Sequence, residues 1–363
     1  MATSTEAPAG AAQKAGEQET FGARLLRAVL TQRIVLLAIL VVVVVAVMIA
    51  LNRLGYLSAS YNSDYMAAAL INAVPLMMLA LAELIVIVSG RGGIDLSVGA
   101  NVSLTGMVFG FAYGLWGWPL AVSVVTAILF GALLGLVNGV LVAYLGFPPL
   151  IATLATYYAY QSLALVINDQ KPVNTPPIQG LYSASRAIEL PLVGQYLPLV
   201  PAGVFLFLLP TVVLVWLLMG RSTYGRKVYA IGTNDTAGRW AGLDVARSRM
   251  LAYVAAGAIS GLVAVVTVSQ FASARPDAGT SGNGMALPAI TIAVLGGVAI
   301  TGGLGRVLGV FLAALLIVWL NAGILLAFAG NVSSQIQLLA LGVILIAAAL
   351  LNGMATRRYG GTR

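Results

Sequence analysis

From residue 34 onward the chain alternates long apolar runs with short polar connections. A hydrocarbon core of about 30 Å needs roughly 20 apolar residues in a helix. Runs of that kind lie near 34–52, 67–89, 96–115, 119–144, 149–167, 199–219, 250–271, 288–301, 305–328 and 333–352. The pattern predicts an all-α polytopic membrane protein with about ten transmembrane helices. The eighth run is short and ends in glycines, as a half-helix would. Two connections are long. Residues 168–198 carry prolines at 172, 176, 177 and 191, and residues 220–249 carry six basic side chains. The chain therefore reads as six spans, a basic loop, then four spans.

Composition supports the bilayer as solvent. Hydrophobic residues make up 60% of the 363 positions and charged residues 8%, with a mean hydropathy of +0.98. A soluble chain would carry about 25% charged residues. The net charge of +8 does not point to nucleic acid, because the basic residues sit in connections between apolar runs and not on one polar face. Their placement predicts orientation. With a cytoplasmic N-terminus, 15 of the 19 Lys and Arg residues fall inside, and only Arg53, Lys171, Arg186 and Arg275 fall outside. Both termini are then cytoplasmic. The expected organisation is a cytoplasmic tail over 1–33, disordered at its start, a transmembrane domain over 34–353 and a short cytoplasmic tail over 354–363. Within the domain, 168–198 is the periplasmic loop and 220–249 the cytoplasmic coupling loop. No cleavable leader is expected before the first run, which is too long and lacks a small-residue cleavage site.

Glycine interrupts the pattern twice. GRGGIDLSVGA (90–100) joins the second and third runs, and a cluster at 296, 297, 302, 303 and 305 follows the eighth. Paired breaks of this kind mark transport pathways built from two related halves, although small residues also serve simply to pack membrane helices. In the first break Gly92 and Gly93 supply the bend, and Gly302 and Gly303 match them in the second. Asp95 directly precedes an apolar helix, which suits an N-cap; solute contact is the competing role. Glu83 lies inside the second run, where a carboxyl faces a bundle interior or an aqueous cavity. It reads either as a structural hydrogen-bonding group or as a pathway-lining, coupling acid. Asn72, Asn101, Tyr157, Gln161, Gln270 and Phe271 are further pathway-lining candidates for a hydroxylated solute, against a role in helix packing. In the basic loop, Asn234 or Asp235 can cap a short helix that runs to about Ala241 and stops at Gly242. Such a helix reads as a docking element for a cytoplasmic partner, the alternative being a lipid-facing basic loop.

Enzymatic chemistry is not expected. The chain has no His and no Cys, so triads, thiol chemistry and the commonest zinc sites are absent. It has no GxxxxGK[ST] phosphate loop. If transport runs on ATP, the nucleotide site is on another chain.

Several motifs together resemble the membrane subunit of ribose-, xylose-, arabinose- and galactose-type ABC importers. They are GGIDLSVGA (92–100), PPLIATLATYYAYQSLALVIND (148–169), GRKVYAIGTNDTAGRWAGLDVARSRMLAYVAAGAISGLVAVV (225–266) and LGGVAITGGLGRVLGVFLAALLI (295–317). The resemblance implies a ten-helix, cobalamin-importer-like permease in a bacterial inner membrane, with broken helices and two weakly related halves. It implies a homodimer, a periplasmic solute-binding protein, and a cytoplasmic ATPase with two nucleotide-binding domains that holds the ATP and magnesium. Residues 232–243 match the family's coupling helix, which assigns docking to Gly232, Asn234, Ala237, Arg239 and Gly242. Ala286, Leu287 and Pro288 stand where the family often has Glu-Leu-Asp, and Arg91 where it commonly has Thr or Ser. These departures bear on the solute and not on the class of transporter. Branched-chain amino-acid or nucleoside permeases, and an ion-coupled carrier using Glu83, are the other readings.

Overall fold

A computed structural model describes residues 33–188, 198–281 and 284–359. Residues 1–32 of the predicted N-terminal tail (1–33), part of the predicted periplasmic loop and the last four residues lie outside them. Each of the ten predicted runs contains a helix. They are α1 (Arg33–Arg53), α2 (Ser63–Val88), α3 (Val98–Phe109, extended by a π-helical turn over Gly110–Leu115), α4 (Leu120–Ala143), α5 (Pro149–Val166), α7 (Leu209–Gly220, preceded by a π turn over Val204–Leu208), α10 (Val245–Phe271), α11 (Ala286–Leu295), α12 (Val307–Ala327) and α13 (Asn331–Tyr359). Between them lie the short α6 (Pro176–Gly180), α8 (Thr223–Thr233) and α9 (Asp235–Trp240). A two-residue antiparallel ribbon pairs Ala187–Ile188 with Val200–Pro201.

Among the described residues, α1, α2, α3 with its extension, α4, α10 and α12 are long and apolar enough to cross a membrane. A seventh span arises if the segment ending in α7 is counted with α8, bent 65° from it. The chain is a helical, multi-span membrane protein. α11 has ten residues, and the apolar first part of α13 (Asn331–Ala347) is also shorter than a full span.

Helix α10 is the centre of the packing. It crosses α4 with almost no side chain between the two backbones. A Cβ on Gly131 or Gly135 would run into the carbonyls of Gly257 and Tyr253, and one on Gly261 into the carbonyl of Ala127. Small residues four apart on both helices permit this approach, and in lipid, where apolar burial drives little, such packing is a main source of helix association. Helix α2 lies against α10, α11 and α12 and is enclosed from Ala73 to Val88 except at Leu76.

Two boundaries differ from the sequence expectation. The predicted coupling loop 220–249 is helical over most of its length, because Ser222, Asn234 and Asp244 each cap a helix by accepting the N–H of the residue three along. The bend between α7 and α8 conceals this in a hydropathy reading. The predicted C-terminal tail begins within α13, which continues to Tyr359.

Candidate functional site

The two glycine breaks and the docking segment, far apart in sequence, meet at one point. Gly90 has φ +89°, Gly92 +64°, Gly302 +96° and Gly303 +73°, values that glycine adopts without penalty. Gly90 and Gly302 touch backbone to backbone, and Gly232, at the end of α8, fits between Val88 and Gly303. The Gly303 N–H donates to the Val88 carbonyl at 3.0 Å, so the second break is bonded to the end of α2. The Tyr229 hydroxyl, on α8, donates to the Gly305 carbonyl at 2.7 Å. Gly93 packs against the Val86 carbonyl, closing the turn.

The predicted docking segment 232–243 divides in two: Gly232 lies buried at the end of α8, and Asp235–Trp240 forms a separate capped helix. Asn234 is extended (φ −158°, ψ 106°), and its side-chain oxygen accepts the Ala237 N–H at 3.0 Å. Gly242 has φ +76°, the left-handed residue expected just past a helix end. Ala237 lies on this one-and-a-half-turn helix, and Arg239 and Trp240 project from it, Trp240 being 88% exposed.

Beneath the junction the structure reveals a residue that the hydropathy reading left in a loop. Arg249 is 1% exposed. Its Nη2 donates to the Asp235 carboxylate at 2.6 Å and to the Ser89 carbonyl at 3.0 Å. It belongs to α10, in register with the buried Ala252, Tyr253 and Ala256. Extending the helical period of that apolar run back by one turn would have placed it on the buried face.

Asp95 and Glu83 lie close together. The Asp95 N–H donates to Glu83 Oε2 at 3.3 Å. Asp95 Oδ1 accepts the Ser97 N–H at 2.9 Å and the Ser97 hydroxyl at 2.6 Å, and Asn138 of α4 donates to both Asp95 Oδ1 and the Ser97 hydroxyl. The helix begins at Val98 with Ser97 as its N-cap residue. Asp95 thus stabilises the turn before the helix and is not the N-cap itself, because the turn over Leu96 and Ser97 displaces the helix start. Thr156 of α5 donates to Asn138 at 2.7 Å, and Thr153 donates to the Ile94 carbonyl at 3.1 Å. These bonds tie the first break to α4 and α5.

The predicted pathway-lining residues separate into three groups. Glu83 and Asn101 are enclosed within the chain, and Asn101 bonds the Gly131 carbonyl and Thr105. Their bonds hold neighbouring segments together. Tyr157 lines a cavity of about 250 Å³ with Leu96, Leu154, Gly279, Thr280 and Leu287; Gln161, one turn further along α5, is half-buried. Away from this cavity's lining, Gln270 donates to the Ile71 carbonyl at 2.7 Å beside the exposed Asn72. The Phe271 ring there carries the Arg275 guanidinium 5.1 Å from its centroid. Among the described residues no group of His, Cys, Asp and Glu could hold a metal ion.

A family described as the permease component of branched-chain amino acid transport systems matches residues 65–349. The chain belongs to that family. It is a transport permease component and not an enzyme. The chain is 34% identical over 299 residues to the autoinducer 2 import system permease protein LsrD of Yersinia enterocolitica, covering 82% of this chain and 84% of the relative. It is 36% identical over 291 residues to LsrD of Photorhabdus laumondii, covering 79% and 80%. No solved structure matches the chain.

Proposed function

We propose that this permease is the transmembrane subunit of an ATP-driven ABC importer that moves a small hydroxylated solute inward by alternating access. A monosaccharide, a related polyol and autoinducer 2 are the solutes that fit. The relatives above are import permeases for autoinducer 2 by name. ATP hydrolysis falls to a cytoplasmic ATPase with two nucleotide-binding domains, and a solute-binding protein delivers the solute at the outer face. Two permease copies enclose the pathway. Each has ten spans in a cobalamin-importer-like arrangement, with both termini cytoplasmic. The placement of 15 of the 19 Lys and Arg residues on one side supports the orientation.

The observation that carries the reading is the capped helix α9, with exposed Arg239 and Trp240, which follows directly on Gly232 and Thr233 of α8, the residues packed against both glycine breaks. A partner that pushes α9 acts on both broken helices at once. The test is Arg239→Glu in the assembled complex, with transport and membrane insertion measured together. Loss of solute uptake with normal insertion is expected, and normal uptake would remove α9 from docking.

The family description favours a second solute class, branched-chain amino acids. Thermal-shift screening of the solute-binding protein against pentoses, hexoses, autoinducer 2 and leucine separates the two. An ion-coupled carrier has less support, because Glu83 is fully enclosed and bonded to the Asp95 amide. Gradient-driven uptake by the permease reconstituted alone would reinstate it.

A further inference from the structure

We propose that Arg249 is a positioning residue that clamps the docking helix α9 to the hinge between α2 and α3, so that movement of α9 is passed to the hinge. The inference rests on the reading of residues 232–243 as the docking element. A single guanidinium nitrogen joins three segments. It is carried by α10, it bonds the carboxylate of Asp235, the first residue of α9, at 2.6 Å, and it bonds the carbonyl of Ser89, immediately before Gly90, at 3.0 Å. Residues 90, 91 and 92 all have positive φ (89°, 59° and 64°). Arg91 pays a strain there that a glycine would not. The clamp therefore grips the chain directly before its most bent stretch.

Stability alone is a poor reason for such a group. A buried ion pair can often be replaced by apolar side chains without loss, since desolvation offsets much of the attraction. Here the Arg249 side chain is 2% exposed and that of Asp235 21%, and the Arg249 Nε has no partner. What the arrangement supplies is fixed geometry. The glycine contacts beside it leave no slack: Gly232 is wedged between Val88 and Gly303, and Gly90 abuts Gly302. A shift of α9 that keeps both Arg249 bonds carries Ser89 with it. Trp240 is separate from the clamp and 88% exposed, while Arg239 lies 3.9 Å from the other Asp235 oxygen with its side chain 65% exposed, so both still present surface to the partner.

The test uses the permease assembled with its ATPase in nanodiscs. The chain has no native cysteine, so Arg91→Cys provides a single site for a bimane label on the hinge. In this labelled parent, ATP with vanadate is expected to shift the bimane emission. Arg249→Met and Asp235→Ala should each reduce that shift at least tenfold while the ATPase still co-purifies within twofold of the parent. The double variant should be no worse than Arg249→Met alone. An unchanged shift in either variant, effects that multiply in the double variant, or no nucleotide response in the parent would each overturn the clamp. Asp235 lies on a partly exposed helix, so Asp235→Ala keeps the test decisive should Arg249→Met fail to fold. Failure of the underlying docking reading is read separately: Arg239→Glu and Trp240→Ala would both retain the ATPase at parent levels.

Discussion

Helices α1 and α2 are both long enough to cross a bilayer, and the more apolar of the two is the less buried. Only 11% of the most apolar window of α1 is enclosed by protein, against 83% for α2. In water the order would be reversed, because apolar surface is driven inward. In lipid, apolar side chains such as Val42 and Val47 of α1 are already at home facing outward. The interior goes to the helix that has something to satisfy or to pack closely. Helix α2 carries Glu83 and a mid-helix Pro75, and it leads into the glycine turn at 90–93. Small and polar residues thus decide which of these two helices takes the centre, where they sit among buried Leu, Ile and Val, while the more apolar α1 stays at the rim.

Substitutions at the two kinds of position should separate sharply. The largest effect is expected at the α4–α10 crossing. Gly135→Leu puts a side chain where the Tyr253 carbonyl and Gly257 backbone already sit, and overpacking of about 3 kcal/mol or more should abolish recovery of folded permease on size-exclusion chromatography. Next is Glu83→Leu, which strands the buried Asp95 N–H. It should lower stability by about 1–3 kcal/mol in a thermal melt; Glu83→Gln, which keeps an acceptor, should lose less than half of that. A Leu variant as stable as the parent would mean that the carboxyl does not hold the turn. Asn234→Ala removes one helix cap on the surface and should cost about 1 kcal/mol, too little to prevent assembly but visible as faster proteolysis within 220–249. The smallest effect is expected on the rim: Val42→Ala exchanges one lipid-facing methyl-bearing side chain for another and should leave the melt within about 0.5 kcal/mol. A large loss there would show that α1 is covered by something other than lipid.

Hydropathy made the helix positions legible because lipid-spanning segments must be long, apolar and internally bonded. The two glycine breaks and the Asn234–Gly242 helix were legible for a different reason: caps and left-handed glycines are local signals. What could not be read was convergence. Nothing in the order of residues says that Gly90, Gly232 and Gly302 share one point, since at least two helices separate each from the next. Arg249 was misplaced for a related reason. A charge at the edge of an apolar run resembles a loop residue until the partners that bury it, Asp235 and the Ser89 carbonyl, are known. Glu83 and Asn101 looked like groups that wait for a solute, yet Asn101 is bonded within the fold and one Glu83 oxygen holds the Asp95 amide, the other being buried without a partner.

The enclosure of α2 also constrains how the protein is made. Glu83 leaves the ribosome about 160 residues before the first turn of α10, the helix that will wall it in. At synthesis rates of about 5–20 residues per second that delay is roughly ten to thirty seconds. The Asp95 amide arrives soon after Glu83 and can shield one carboxyl oxygen. The other must wait in the insertion machinery or in lipid, where a charged carboxyl is costly. A translational pause between α4 and α10 would lengthen that wait without altering a single residue, so the yield of this permease should depend on the tempo of its translation as well as on its sequence.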